Sequence, residues 1–287
     1  MTKNIGRSIK TRLLNLAKEE KQEYMKVLVR YLHERLLFRI SASPYKSNFL
    51  LKGSSLLFAL DGFKARPTID IDLLGECISN ERESLKETFE KICNIECEDD
   101  GVTYDATSLE LEPIAVEKKY PDTCVKVVAH LDTIVQQISV DIGFGDVVTP
   151  YPLSLDYPLL LPNVPAVELY AYSLETLIAE KFHAMVDRDE SNSRMKDFFD
   201  VYQLFANHII DRELLSEAIG CTFKNRNTPY RANLMLFSDK FATDTTRNAL
   251  WKAFLKKIRW KERLEFSVVM KCIKENLQEY WSEAILG

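Results

Sequence analysis

The chain has 287 residues, of which 46% are hydrophobic and 28% charged, a composition typical of a protein that folds around its own core. Its net charge of −5 argues against a protein that binds nucleic acid over its whole surface. No run of 18 apolar residues occurs and the first ten residues are polar, so we expect no membrane span and a cytoplasmic location. Its six cysteines lack C-x-x-C spacing, which favours reduced, structural thiols over a zinc site.

The N-terminal part of the chain is predicted to be helical. Residues 8–41 carry leucines and tyrosines near a 3.6-residue period without an internal Pro or Gly, which predicts one helix. Ser43-Pro44 ends it. A short helix over Ser54 to Leu60 is expected directly after Gly53.

The middle of the chain carries the strand patterns. Strict alternation over 68–74 predicts a half-buried strand, and 80–94 has the pattern of a helix. Three stretches rich in β-branched residues follow, over 102–111, 124–130 and 133–143. Together these segments predict a mixed sheet.

A change of composition divides the chain. Five prolines between Pro150 and Pro165 predict an irregular or extended segment, and after 167–171 the pattern is helical throughout. We therefore predict an α+β fold with a helical segment over 1–45, a mixed-sheet core over 46–165 and a C-terminal helical domain over 166–287.

The strand over 68–74 carries two carboxylates. Asp70 and Asp72 lie two residues apart and therefore project to the same side. Hard oxygen ligands on a rigid strand suit Mg²⁺ or Mn²⁺, although two solvated aspartates on a surface strand would give the same pattern. Upstream, Gly53-Ser54 opens a helix whose backbone N–H groups suit phosphate oxygens, while Ser54 is equally good as a structural cap.

A third carboxylate, Asp141, lies in a segment where Val140 and Ile142 point to one side and Asp141 to the other. It is a candidate ligand of a second metal ion, or the base that activates the attacking hydroxyl. The alternative is an exposed strand aspartate.

Two charges fall within apolar helix faces further on. Lys181 lies within the apolar stripe of the helix predicted over 173–186, and Asp197 lies on the packing face of the next helix. One interpretation is an internal ion pair or a lysine that reaches the surface. The other is Lys181 on a triphosphate, with Asp197 orienting Lys181 or a metal-bound water.

Charge is unevenly spread, because Thr222 to Arg263 holds eleven Lys and Arg against three Asp and Glu, a net charge of +8. This segment could contact a polyanion. Its aromatic residues either stack on exposed RNA bases or belong to the core, which is the commoner case at helical spacing: Tyr230, Trp251, Phe254 and Trp260.

Taken in order and spacing, four segments resemble the AbiEii/AbiGii family, the abortive-infection toxins of type IV toxin–antitoxin pairs. The resemblance covers residues 48 to 206, and its segments are Lys52-Gly-Ser with Arg66-Pro-Thr-Ile-Asp-Ile-Asp-Leu73, Val140-Asp-Ile-Gly-Phe-Gly-Asp146, Glu175-Thr-Leu-Ile-Ala-Glu-Lys-Phe-His-Ala184, and Arg194-Met-Lys-Asp-Phe-Phe-Asp-Val-Tyr202. One departure is Gly53-Ser54-Ser55, where several relatives carry Gly-Gly or Gly-Thr, which leaves the subgroup open.

The resemblance implies a nucleotidyltransferase fold of the DNA polymerase β type and a metal-dependent transfer of NMP from an NTP to RNA, at the 3′ end of tRNA. It also implies a role in phage defence and a cognate antitoxin that acts as a DNA-binding repressor. The implied site residues fall into two groups. Activity is expected of Ser54, Asp70, Asp72, Lys181 and Asp197, and contacts to phosphate or to the fold are expected of Lys52, Gly53, Arg66 and Arg194.

Two other functions stay open from the sequence. One is the same chemistry with a protein hydroxyl as the acceptor of AMP. The other is a non-catalytic interaction module, since a fold alone does not establish an activity.

Overall fold

The structure, a computed structural model, describes residues 5–114 and 121–281. The expected α+β class is confirmed, since a mixed sheet and helices are both present. The strands are β1 Phe49–Leu51, β2 Asp70–Gly75, β3 Val102–Ile114, β4 Asp122–Leu131, β5 Ile134–Phe144, β6 Leu153–Tyr157 and β7 Val167–Ala171. The helices are α1 Ile5–Glu19, α2 Tyr24–Ala42, α3 Gly53–Asp61, α4 Arg82–Cys93, α5 Leu174–Arg188, α6 Met195–Asn207, α7 Arg212–Asn225, α8 Asp239–Thr243, α9 Thr245–Ile258 and α10 Phe266–Leu277.

The prediction of a single helix over 8–41 was wrong, because the structure has two helices, α1 and α2. Between them Lys21 adopts a left-handed backbone conformation with φ 53°, and the N–H of Gln22 donates to the carbonyl of Ala17 at 2.8 Å. This geometry ends a helix. The polar run from Glu19 to Glu23 has no apolar side chain to bury, so packing does not hold it helical.

The seven strands form one sheet in the order β3-β4-β5-β2-β1-β7-β6. The pairs β2–β5 and β1–β7 are parallel, and the other neighbours are antiparallel. The proline-rich segment is thus partly regular, since β6 is the strand at one edge. β2, which carries Asp70 and Asp72, lies centrally between β5 and β1.

Helices α1, α2 and α4 pack against the sheet, and the core lies between them. The hydroxyl of Tyr104 on β3 donates to the carbonyl of Leu32 on α2 at 2.7 Å, and the rings of Phe49 on β1 and Phe89 on α4 are 5.6 Å apart. Apolar side chains of β2, β4 and β5 alternate with half-exposed ones. The polar residues of the strands therefore share the opposite face of the sheet.

The chain forms two compact units. One runs to Gly145 and includes Pro152–Ala171, and the other consists of Asp146–Tyr151 and the residues from Tyr172 onward. β7 belongs to the first unit because it pairs with β1 and β6. The predicted domain boundaries at residues 45 and 165 do not coincide with the limits of these two compact units. They stay a prediction.

The second unit is helical, and aromatic rings fill much of its core. Phe199 on α6 lies 6.2, 5.6 and 5.1 Å, between ring centroids, from Trp251, Phe254 and Trp260. Tyr230 lies against Trp281 at 5.4 Å. The core interpretation is supported for Trp251, Phe254 and Trp260, whereas Tyr230 is exposed although its ring lies against Trp281. No helix in residues 5–114 and 121–281 combines the length and apolar character needed to cross a bilayer.

Candidate functional site

Three of the candidate carboxylates lie together on the half-exposed face of the sheet. Asp72 on β2 is directly opposite Asp141 on β5, and Asp70 is opposite Ser139. Side chains in register on neighbouring strands point to the same face, with Cβ atoms roughly 5 Å apart. The structure thus brings Asp70, Asp72 and Asp141 into one group, named here the acid row.

The acid row extends to a thiol on the next strand. Cys124 on β4 is opposite Asp141, and burial together with a hydrogen bond to Asp141 raises the pKa of this thiol to about 12. The thiol therefore stays protonated near neutral pH and donates to the carboxylate. From the sequence Cys124 is predicted to be only a structural cysteine, because its pairing with Asp141, 17 residues further along the chain, depends on the register of two strands.

The first turn of α3 is tied to Asp72. Both the backbone N–H and the hydroxyl of Ser54 donate to Oδ2 of Asp72, each at 2.9 Å, and the Ser54 hydroxyl also lies 2.9 Å from Oγ1 of Thr68. The capping group at this helix end is thus an aspartate from the neighbouring strand. Asp72 thus accepts the N–H of Ser54, one of the groups that the sequence predicted to contact phosphate. The contact of Ser54 with phosphate stays a prediction.

Gly53 is required by this arrangement. Its φ of +58° lies in the left-handed region, and a Cβ built on it would lie 2.4 Å from Oδ2 of Asp72. Any side chain at this position would displace the carboxylate that Ser54 holds. The Gly53-Ser54 pair is therefore a close approach of the backbone to Asp72.

Lys52 and Arg66 lie on the segments that flank Asp72 and Asp70. The backbone N–H of Lys52 donates to the carbonyl of Asp72 at 3.0 Å, which continues the pairing of β1 with β2 to the start of α3. Arg66 lies four residues before Asp70, and its carbonyl accepts from Nη2 of Arg30 at 3.4 Å. Both side chains are half-buried.

The acid row fits a metal ion that is completed by a substrate. Among the residues that the structure describes, no group of three or more His, Cys, Asp or Glu side chains converges to hold a metal ion. A preformed protein cage is thus absent from those ranges. Mg²⁺, however, commonly takes one or two carboxylates and completes its shell with water and phosphate oxygens, so Asp70, Asp72 and Asp141 have the chemistry such an ion needs.

The helical unit holds a second charged group, named here the lysine cluster. Nζ of Lys181 on α5 lies 2.7 Å from Oδ2 of Asp200 and 3.4 Å from Oδ1 of Asp197, and Nε of Arg194 lies 2.8 Å from Oδ2 of Asp197. Lys181, Asp197 and Asp200 are all buried. These four residues are two cations and two carboxylates, so positive and negative charges are equal in number within this named set.

Asp200 is the closer partner of Lys181, and the sequence analysis did not select it as a site residue. Asp197 and Asp200 are three residues apart on α6 and therefore lie on the same helix face. That spacing was the available signal. The ion pair expected between Lys181 and Asp197 is present, but it is the longer of the two contacts.

Asp146, at the end of the Val-Asp-Ile-Gly-Phe-Gly-Asp segment, belongs to a different network in the helical unit. Nη2 of Arg226 lies 2.7 Å from Oδ1 of Asp146 and 3.3 Å from Oε1 of Glu180 on α5, and Nη1 donates to Nδ1 of His183 at 3.1 Å. Because a guanidinium only donates, Nδ1 accepts, and Nε2 carries the proton towards Thr228. Asp146 is thus held by Arg226.

Comparison with known families gives one match over most of the chain. A family model described as "Nucleotidyl transferase AbiEii toxin, Type IV TA system" matches residues 35–272. No curated protein matches the chain in sequence.

Solved structures show a similar fold. MenT4, a nucleotidyltransferase toxin from Mycobacterium tuberculosis, superposes with a TM-score of 0.53 at 15% identity, covering 96% of this chain and 97% of that chain. JHP933 from Helicobacter pylori gives a TM-score of 0.44 at 16% identity, covering 87% of this chain and 94% of that one. At this identity, the first likeness indicates a shared fold and no more.

Proposed function

Because the chain belongs to the AbiEii family of nucleotidyltransferase toxins of type IV toxin–antitoxin systems, we propose that it transfers a nucleotide to RNA. Membership gives the coarse activity, an enzyme that uses a nucleoside triphosphate, and implies an antitoxin partner. The finer proposal is transfer of NMP to the 3′ end of tRNA, which blocks translation and defends the cell against phage. Such an acceptor places the activity in the cytoplasm.

The acid row is the observation that carries this proposal. Asp70 and Asp72 on β2, with Asp141 in register on β5, gather three carboxylates on one face of a rigid sheet. We assign Asp70 and Asp72 as ligands of Mg²⁺ or Mn²⁺, and Asp141 as a further ligand or as the base that takes the proton of the attacking hydroxyl. When bound, the ion would neutralise charge on the phosphate oxygens.

The start of α3 fixes this geometry. Ser54 holds one oxygen of Asp72 through two hydrogen bonds, so the carboxylate cannot turn freely. With the N–H of Ser54 engaged, we assign the phosphate to the side chains of Lys52 and Arg66, which flank the acid row in sequence and can neutralise a polyphosphate. Gly53, which has no side chain, lets the backbone come close enough to Asp72 for the two hydrogen bonds from Ser54.

For the helical unit we propose that Lys181 binds the triphosphate and that Asp197 orients it. Two carboxylates hold Lys181 in one position, which suits a group that must neutralise charge without reorganising. We assign Arg194 the same purpose through Asp197, or direct contact with phosphate, because its side chain is partly exposed.

The proposed RNA contact is the +8 segment, whose cations on and after α9 are exposed while Trp251, Phe254 and Trp260 pack on Phe199. Contacts of this kind go to the phosphate backbone and weaken with salt. The exposed cations are Lys252, Lys256, Lys257, Arg259, Lys261 and Arg263. The antitoxin is proposed to be a DNA-binding repressor, on the family resemblance alone.

The test is a labelling experiment. Purified protein is incubated with each α-³²P-labelled NTP in turn, Mg²⁺ or Mn²⁺, and total tRNA, beside Asp70→Asn and the matched control Glu110→Gln, an exposed carboxylate on β3 of the same sheet. We expect label on tRNA with the wild type and the control, and none with Asp70→Asn.

Each outcome decides between the candidate functions. Label that requires Asp70 and appears only on protein would replace the RNA acceptor by a protein hydroxyl. Label on neither, with folded protein and intact NTP binding, would favour the non-catalytic module and overturn the proposal. Omission of the divalent ion, with EDTA present, tests the metal dependence in the same assay.

A further inference from the structure

Three arginines of α2 are buried, and they differ in their partners. Arg39 lies 2.5 Å from Oδ2 of Asp100 through Nη1, and Arg35 lies 2.8 Å from Oε1 of Glu34 through Nη2. Arg30 is only 7% exposed, yet within residues 5–114 and 121–281 no carboxylate lies within ion-pair distance of it. Two of the three arginines thus contact a carboxyl group, and Arg30 contacts none within the described ranges.

The surroundings of Arg30 are aromatic and cationic. Its guanidinium carbon lies 3.6 Å from the ring centroid of Phe58 and 6.0 Å from that of Phe63, and Nη2 donates to the carbonyl of Arg66 at 3.4 Å. Burial lowers its pKa to about 10; the hydroxyl of Tyr157 opposes the shift and the charge of Arg66 adds to it. The charge of Arg66, which has the same sign, is thus close enough to act on Arg30.

Such an arrangement is unfavourable in the absence of an anion. A guanidinium has five N–H donors, and Arg30 makes one weak hydrogen bond to a carbonyl beside its stack on Phe58. Its other nitrogens are not fully enclosed without a partner, as Nε of Arg39 is, so an anion from solvent can reach them. Arg39 shows the usual solution, since Asp100 takes two of its nitrogens. A buried cation without a counter-charge is still costly, and an anion bound at position 30 would offset that cost.

Arg30 is attached to the two segments that lead to the acid row. Phe58, on which it stacks, is in α3, whose first turn carries Gly53 and Ser54. Arg66, whose carbonyl it contacts, lies four residues before Asp70. A ligand held by Arg30 and Arg66 would therefore lie beside the strand and the helix start that form the proposed site.

We propose that Arg30 and Arg66 form a binding site for a phosphate group, which supplies the negative charge that Arg30 lacks. Two guanidinium groups suit a phosphate because each can donate two parallel hydrogen bonds to its oxygens. The phosphate comes from the nucleotide or from the RNA backbone, and only this identity rests on the proposed function. The stack on Phe58 holds the guanidinium plane ready for the anion.

The test compares two buried arginines of the same helix. Arg30→Met keeps an apolar stem against Phe58 and removes the unmatched charge, so we expect the melting temperature of the ligand-free protein to stay equal or rise. Affinity for tripolyphosphate, measured by calorimetry without metal, should fall about tenfold or more, and Arg30→Lys should recover part of it. The matched Arg39→Met, which leaves Asp100 buried and unpaired, should lower the melting temperature.

A structural role predicts the opposite pattern. If Arg30→Met melts at a lower temperature and binds both tripolyphosphate and tRNA with unchanged affinity, the stack on Phe58 serves the fold and the proposal is overturned. If Arg39→Met does not fold, Arg39→Lys provides the comparison. The measurements on the Arg30 variants do not depend on either Arg39 variant.

Two binding measurements identify the source of the phosphate. Weaker binding of tripolyphosphate and ATP with unchanged tRNA affinity supports a phosphate of the nucleotide. Weaker binding of tRNA, with the slope of log affinity against log salt reduced by about one, supports the RNA backbone. Unchanged binding of both overturns the site. None of these readouts needs transfer activity, so a failed labelling experiment would not decide them.

Discussion

The two units treat buried and half-buried charge in opposite ways. In the sheet unit the acid row places Asp70, Asp72 and Asp141 on one face, three charges of the same sign. In the helical unit the lysine cluster sets Lys181 and Arg194 against two carboxylates. Like charges held together favour a ligand of opposite sign, whereas a balanced cluster stabilises its own position. We therefore propose that the acid row of the sheet unit binds a cation from solution, whereas the lysine cluster of the helical unit surrounds a cation of the chain itself.

Asp72→Asn should have the largest effect, on activity. Asparagine can still accept from the N–H and hydroxyl of Ser54, so the fold should be kept, while one negative charge of the acid row is lost. We expect transfer to fall by at least about 100-fold, the range seen when a preorganised charged group is removed from an active site. Single-turnover labelling measures the rate, with the melting temperature as the check on folding. Transfer within threefold of wild type would show that the like charges are not used.

Lys181→Met tests whether the balanced cluster is structural. Removing the cation leaves Asp197 and Asp200 buried, which should lower the free energy of unfolding by about 3–5 kcal/mol. Lys181→Met with Asp200→Leu restores balance, because Arg194 still pairs with Asp197, so stability should return towards that of the wild type. Urea unfolding measures both variants.

The same double variant separates the two roles of Lys181. If Lys181 binds the triphosphate, transfer stays lost when stability returns. Recovery of transfer in the double variant would assign Lys181 to the fold alone.

Gly53→Ala tests the close approach to Asp72, and Gly62→Ala is its matched control. Both glycines have nearly the same φ, +58° and +57°, but a Cβ at Gly53 would lie 2.4 Å from Asp72, and at Gly62 it would meet nothing within 4 Å. The control should lose about 1–3 kcal/mol from backbone strain, because its φ of 57° with ψ of −134° is a conformation that residues other than glycine rarely adopt. Gly53→Ala should lose more and also reduce transfer, since the carboxylate must shift. If both variants lose the same free energy of unfolding in urea, the Asp72 side chain moves away from the new methyl group without cost.

The smallest expected effect is on how the free energy of unfolding depends on pH. His33 and Glu34, neighbours on α2, contribute slopes of opposite sign that partly cancel. Burial lowers the pKa of His33 to about 3, and the charge of Arg30 adds to the shift. Since the unfolded pKa of His33 is near 6.5, its contribution is complete above pH 6.5 and is lost as pH falls. Burial raises the pKa of Glu34 to about 7 against 4.5 unfolded, so its contribution is complete below pH 4.5 and is lost as pH rises to 7.

Single variants should reveal the two slopes. Between pH 4.5 and 6.5, His33→Leu should become less stable as pH rises, and Glu34→Gln, which can still accept from the N–H of Leu160, should become less stable as pH falls. Each slope is at most about 1.4 kcal/mol per pH unit. Urea unfolding at several pH values measures it. If the free energy of unfolding changes with pH in the same direction for both variants, His33 and Glu34 do not make opposite contributions.

Several features of the fold could be predicted from local pattern. Alternation placed Asp70 and Asp72 on one face of a strand, because the period of two is a property of the chain itself. The apolar stripe around Lys181 predicted a buried lysine with an anionic partner, which is confirmed. The break between α1 and α2 was missed, because no Pro or Gly marks it and only the absence of an apolar side chain from Glu19 to Glu23 signals it.

What the sequence by itself determined is the chemistry: which carboxylates alternate, which helices bury a charge, and the order of motifs that places the chain in the AbiEii family. The tertiary structure decided which of those residues meet. The register of β2 with β5 and of β5 with β4 sets Asp72, Asp141 and Cys124 side by side. Packing of α2 gives Arg39 a carboxylate, Asp100, and gives Arg30 none among the residues that the structure describes. Pairing and packing join residues far apart in the chain, and no local period carries that information.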